Sequence, residues 1–275
     1  MEESVLIDGI NVCYSVEGDG EPLLLIHGMA FSHDIWEKTI VSASKFFRVY
    51  APDLPGFGRS DKPAIDYDLP FYVDFIKKFM NILNIDKCSL AGMSLGGEIA
   101  AEFASKYPER VNRLVIVGAG GFSPLIKNPR DYPGLKPQVL SFLKNNRDEL
   151  KQYFEGMLYN KKALREDLVE QEWARMKDPA YRNALTRSMK HLSTVDPEFP
   201  DTLSSIRART LIIWGKDDPL LPADDAYQFN ERIPDSDVVL IERCGHVPVL
   251  EKNEELNRAL LTFLAETNLY YSVDS

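Results

Sequence analysis

The 275-residue chain is poor in the side chains that build metal and disulfide sites, with only three cysteines (Cys13, Cys88, Cys244) and four histidines (His27, His33, His191, His246). An odd, scattered set of cysteines excludes a disulfide framework and fits reduced thiols in a cytoplasm. No Cys/His pair has zinc spacing, so no metal and no other cofactor is expected. Basic charge is also short: 32 Lys+Arg against 42 Asp+Glu give a formal net charge of −10. There is no compact basic patch, which argues against nucleic acid and anionic membrane as partners. No stretch approaches the roughly 18 consecutive apolar residues of a membrane span. The opening MEESVLIDGI lacks the basic and apolar regions of a signal peptide. These absences predict a cytoplasmic protein; self-association into a homodimer stays open.

What is present fits an ordinary globular chain. Hydrophobic residues make up 44% and charged residues 27%, which leaves no case for disorder, coiled coil or fibre. The length lies at the upper edge of what one core supports, so one α/β domain with an insertion is expected. Val5 to Ile7, Asp8-Gly9 and Val12 to Val16 read as a hairpin. Leu23 to His27, Phe47 to Pro52, Lys87 to Ala91, Leu114 to Val117, Leu211 to Trp214 and Val238 to Ile241 are short apolar runs suited to strands buried on both faces. Helical patterns lie between them at Ile35 to Lys45, Leu69 to Leu83, Leu95 to Lys106, Ala223 to Arg232 and Asn253 to Ala265. Alternation of this kind predicts a mostly parallel sheet covered on both sides. It breaks once, from Phe122 to about Phe199, where the pattern is helical. Pro124, Pro129, Pro133 and Pro137 stand near the start of that segment.

Gly92-Met93-Ser94-Leu95-Gly96 fits G-x-S-x-G, placed between a predicted strand and a predicted helix. A chain of this length shows the bare pattern by chance roughly one time in ten at average glycine usage, so the strand-to-helix context carries the reading. In such a turn only glycine fits on both sides, and the serine is pushed out at the amino end of the helix. There backbone N–H groups and the helix dipole favour an oxyanion. A serine needs a base, and the base needs an acid to orient it. In α/β-hydrolase chains the order is serine, acid, histidine, which leaves His191 and His246; His191 lies in the helical insertion, whereas His246 follows a strand. Asp217 and Asp218, directly after Leu211 to Trp214, are both candidates for the acid. The oxyanion donors are expected to be the backbone N–H groups of Leu95 and Met29, with His27 buttressing the Met29 loop.

With LLLIHGM, APDLPGFGRSDKP, LAGMSLGG, WGKDDPLLP and CGHVPVLE in this order, the chain resembles the α/β-hydrolase superfamily with a lid over about residues 5 to 268. The resemblance implies an α/β-hydrolase fold, with a core of residues 1–121 and 200–275 and a helical cap of 122–199. It maps the acid onto Asp218, giving a Ser94, Asp218, His246 triad. The cap stretch GMLYNKKALREDLVEQEWARM is similar to the carbon–carbon bond hydrolases that cleave meta-fission products. That subfamily usually has Asn before the serine, an arginine in the cap and Trp after the histidine, where this chain has Met93, Glu172 and Val247. Glu172 would repel a dianionic dienoate, although Arg175 stands close enough on the same helix to take over. Phe31, Met93 and Val247 are expected to contact substrate. The expectation is therefore a serine hydrolase, carboxylesterase-like, cleaving small uncharged esters through an acyl-enzyme. A dienoate carbon–carbon hydrolase is the alternative, and a non-catalytic ligand receptor the rival from another class.

Overall fold

A computed structural model describes residues 1–122, 146–192 and 198–265. β1 (Glu2–Ile7) and β2 (Ile10–Glu17) form a hairpin whose turn residues Asp8 and Gly9 both have positive φ, 50° and 81°. This is the backbone hand that matches the twist of paired strands. β3 (Glu21–Ile26), β4 (Phe47–Pro52), β5 (Cys88–Met93), β6 (Val111–Val117), β7 (Arg209–Gly215) and β8 (Ser236–Ile241) complete one eight-stranded sheet in the order β1-β2-β4-β3-β5-β6-β7-β8. β2 runs antiparallel to β1 and β4, and every pairing from β4 to β8 is parallel.

The central strands are buried along nearly their whole length because helices cover both faces. α1 (Glu37–Ala43), α2 (Leu69–Ile82) and α3 (Leu95–Lys106) belong to the first half of the chain. Between β6 and β7 stand α4 (Arg147–Gly156), α5 (Glu166–Arg175), α6 (Pro179–Leu192) and the short α7 (Phe199–Thr202). α8 (Asp224–Arg232), α9 (Pro248–Glu251) and α10 (Asn253–Ala265) come after β7. The described residues of the insertion contain no strand; the four prolines near its start lie outside them. Among the described residues no helix is long and apolar enough to cross a membrane.

Every strand but β4 runs longer than its apolar run. β2 extends to Ile10 and Glu17 because β1 on one side and β4 on the other supply backbone partners to residues that the apolar pattern skips. The helix expected from Ile35 begins earlier, as a 3-10 turn over His33–Trp36. The buried Asp53 carboxylate receives the His33 backbone N–H at 2.7 Å and pins that turn. His27 lies one residue past β3 rather than in it.

The order reverses between β3 and its neighbours β4 and β5, which creates a crevice beyond the strands' carboxyl ends. Ile26 pairs with Gly92, Met93 with Val117, Val117 with Ile213 and Gly215 with Ile241, so five strands end along one rim.

Candidate active site

Ser94 is the first residue past β5 and the N-cap of α3, with φ 54° and ψ −120°. That conformation is rare for a side chain other than glycine and costs on the order of 1–3 kcal/mol. Neighbours enforce it: a Cβ on Gly92 would fall 2.0 Å from the Gly96 carbonyl oxygen, and one on Gly96 would fall 2.2 Å from that of Ile26. The two glycines let β5, α3 and β3 close on one another, and the Ser94 N–H is tied to the Val117 carbonyl at 2.9 Å.

The loop after β3 presses on this turn, since a Cβ on Gly28 would lie 3.1 Å from the Ser94 Cβ. His27, fully buried, holds the loop with both ring nitrogens. Nδ1 lies 2.7 Å from the Gly28 carbonyl, and Nε2 accepts the Leu54 N–H at 2.9 Å. Burial pushes its pKa down to about 4, and a neutral ring with its proton on Nδ1 satisfies both bonds. Among the described residues, no turn or loop bond to a backbone carbonyl uses the Met29 or the Leu95 N–H.

His246 sits five residues past β8, with Nε2 3.0 Å from Ser94 Oγ and Nδ1 2.8 Å from Asp218 Oδ2. The other oxygen, Oδ1, accepts the Leu220 and Leu221 N–H groups at 2.8 and 3.0 Å. Asp218 thus closes its own turn while facing the imidazole. Asp217 is exposed and its N–H bonds the Cys244 carbonyl. The ring nitrogens therefore link a hydroxyl to a carboxylate, with Ser94 8% exposed, His246 3% and the Asp218 side chain 1%. His191 lies on α6.

The helical insertion touches the histidine loop directly. The His246 N–H donates to the Met157 carbonyl at 2.8 Å. A Cβ on Gly245 would meet that same carbonyl oxygen at 2.4 Å, so only glycine allows the approach. Glu251, on α9, accepts the Gly245 N–H at 2.8 Å on one oxygen and the Asn160 N–H at 2.8 Å on the other. The sequence offered one signal for this clamp, an acid five residues after the histidine in CGHVPVLE.

A cavity of about 10 Å³, room for about one water molecule, continues from the Met29 loop along the insertion. Ala30, Phe31 and Ser32 form one wall, and Phe154, Leu168, Glu172 and Arg175 the other. Phe31 packs against Phe154 with ring centres 5.5 Å apart. Of the three residues expected to contact substrate, Phe31 lines this cavity. Met93 and Val247 are buried, 0% and 1% exposed, and do not line it.

Cys13, His33 and Asp53 bring ligand-type atoms within 4.8 Å of one another. The Asp53 oxygens already receive the His33 N–H and ring nitrogen and the Arg59 N–H, all within 2.8 Å. Burial pushes the Cys13 thiol up to about 12, far from the thiolate that metals need. The set joins the 53–60 loop to the turn at His33.

The family signature described as alpha/beta hydrolase fold matches residues 21–253. The chain is similar to the 2-hydroxy-6-oxo-6-(2'-aminophenyl)hexa-2,4-dienoic acid hydrolase of Metapseudomonas resinovorans, with 31% identity covering 96% of this chain and 91% of that one. Among solved structures it is similar to the meta-cleavage product hydrolase from Pseudomonas fluorescens IP01, at 26% identity and TM-score 0.83, covering 96% and 98% of the two chains. It is also similar to a bacterial membrane phospholipase A, at 27% identity and TM-score 0.84, covering 96% and 85%. The chain belongs to the alpha/beta hydrolase fold family. It is a hydrolase.

Proposed function

We propose that this hydrolase cleaves a carbon–carbon bond in a 2-hydroxy-6-oxo-hexa-2,4-dienoate. The observation that carries the reading is the Arg175 guanidinium in the wall of the cavity beside the Met29 loop, a cation that a substrate carboxylate can engage by sharing or displacing its Glu172 partner. The names of its relatives point the same way. The uncharged ester that the sequence put first becomes the second reading, favoured by the likeness to a phospholipase and by Met93 and Val247, which stand where the dienoate enzymes usually have Asn and Trp.

Carbon leaves with an electron pair only when that pair is delocalised. In such a dienoate, moving the 2-hydroxyl proton to C5 makes C5 the vinylogous neighbour of a 2-keto acid. The Ser94 hydroxyl gives its proton to His246 Nε2 as its oxygen attacks C6, and Asp218 steadies the imidazolium through Nδ1. The Met29 and Leu95 N–H groups receive the oxyanion. The C5–C6 bond then breaks, its electrons spreading to the 2-oxygen, and the imidazolium proton goes to the departing fragment. One water hydrolyses the acyl-serine, so one water is consumed and a second carboxylic acid is made. The α4–α6 segment, within the 122–199 insertion, acts as the cap that keeps other water out.

Ser94→Ala is expected to lower turnover by about 10⁴-fold or more with the melting temperature preserved, read as loss of the dienoate chromophore beside a panel of nitrophenyl esters. Wild-type cleavage of esters alone establishes the second reading. A Ser94→Ala protein that still turns over either substrate overturns both. A single slow turnover with a large thermal shift marks a receptor.

A further inference from the structure

The cavity wall that offers Arg175 also carries a competitor for it. Glu172, 2% exposed, lies one turn before Arg175 on α5, with Oε2 3.3 Å from Arg175 Nη1. Its other oxygen accepts the hydroxyl of Tyr181 from α6. The second guanidinium nitrogen, Nη2, reaches Ser32 Oγ at 3.4 Å and Asp34 Oδ2 at 3.7 Å. Arg175 is thus already shared between two carboxylates, one of them cut off from water. An incoming substrate carboxylate must share or displace that pairing, and an uncompensated like charge in a dry pocket is costly.

We propose that Glu172 is the specificity-determining residue of this cavity: by holding or releasing Arg175 it decides whether an anionic substrate end is accepted. This rests on the reading of α5 as a wall of the substrate site. The cavity, with room for about one water, is too small for a long chain to occupy.

The charge of Glu172 is adjustable. Burial pushes its carboxyl up to about 7, against the pull of Arg175, the Tyr181 hydroxyl and Lys62. The groups facing the pair are Arg175 on α5, Tyr181 on α6, Tyr153 on α4 and Lys62 from the loop after β4, with Asp34 across Arg175. Below about 7 the protonated Glu172 leaves Arg175 a charge to spend on substrate. Above it the pair is neutral and anionic substrates lose their partner.

The test compares two chromogenic esters of similar length, mono-4-nitrophenyl glutarate with a free carboxylate and 4-nitrophenyl valerate without one. The readout is the ratio of their kcat/KM at pH 6 and pH 8, in which any change in fold or triad cancels. In the wild type the ratio is expected to fall as pH rises through 7. In Glu172→Gln it is expected to be flat and about tenfold or more above wild type at pH 8. A ratio that is the same in both proteins at both pH values overturns the proposal. Should Glu172→Gln fail to fold, Tyr181→Phe removes a donor that favours the charged carboxylate, so the fall should move to higher pH; an unmoved fall overturns it. Should neither ester turn over, the thermal shift of Ser94→Ala by glutarate at the two pH values is the readout, and an equal shift at both overturns it. Wild-type activity on a dienoate is measured separately, so failure of carbon–carbon cleavage leaves the ester ratio to judge Glu172.

Discussion

Single residues here carry tasks that their type alone does not announce. Asp53 is an aspartate in a loop, yet it is fully buried. Burial pushes its carboxyl up, and the His33 hydrogen bond and charge, with His27 and the Arg59 N–H, outweigh that and hold it at about 2, below the ordinary 3.8. A depressed carboxyl stabilises the fold above its unfolded pKa, so this contribution is present above about pH 4 and lost as pH falls through 2. That depression corresponds to about 2 kcal/mol. Asp53→Asn should therefore lower urea stability at pH 7 by roughly that much and flatten the loss between pH 4 and 2. Glu172 has the opposite sign. Its folded pKa is raised, so its contribution is present below about 4.5 and declines as pH rises through 7. Stability curves of Glu172→Gln against wild type should improve from pH 5 to pH 8; a difference constant with pH would show that the carboxyl stays charged throughout.

At the scale of elements, the histidine loop is held by the short helix after it. α9 has barely one turn of its own to offer, but its last residue, Glu251, bonds amides on both sides of the contact between the 244–246 loop and the insertion. Burial raises the Glu251 carboxyl, and the Asn160, Gly245 and Tyr159 N–H groups pull it back toward the charged form. Glu251→Gln leaves one acceptor oxygen for amides that two oxygens now serve. It should speed hydrogen exchange at Gly245 or Asn160 and cut kcat by about tenfold with a smaller change in KM, as expected when a base is less well positioned. Protection at both amides equal to wild type would show that the backbone contacts alone hold the loop. The elements themselves were largely legible: α3 and α10 begin and end where their patterns predict, because short apolar runs bounded by turn residues differ in length from helical patterns of period 3.6. Strand ends were less so, since polar residues such as Glu17 join β2 through backbone pairing that side chains do not advertise.

At the scale of the whole molecule, one closed core makes otherwise reactive groups inert. Cys13, Cys88 and Cys244 are all buried, and burial raises each thiol, to about 12 for the first two and higher still for the third. None should react with Ellman's reagent at pH 8 in the native protein, and three equivalents should react after denaturation. Fast native labelling of one thiol would mark an opening of the fold near it. The same closure assembles the site, because β5, β7 and β8 end on one rim and deliver Ser94, Asp218 and His246 from positions 152 and 28 residues apart in pairs.

The sequence by itself determined the sheet and the turn at Ser94, because those follow from apolar runs alternating with helical patterns and from glycines that only one backbone path tolerates. It also named an acid and an imidazole, each after a predicted strand, as candidates. Only the tertiary structure decided that Asp218 both closes its turn and faces His246, that Glu251 ties the insertion to the histidine loop, and that Glu172 pairs with Arg175 in a cavity wall. Each of those is a meeting between groups distant along the chain or hidden from water, and neither distance through space nor burial is written in the order of residues.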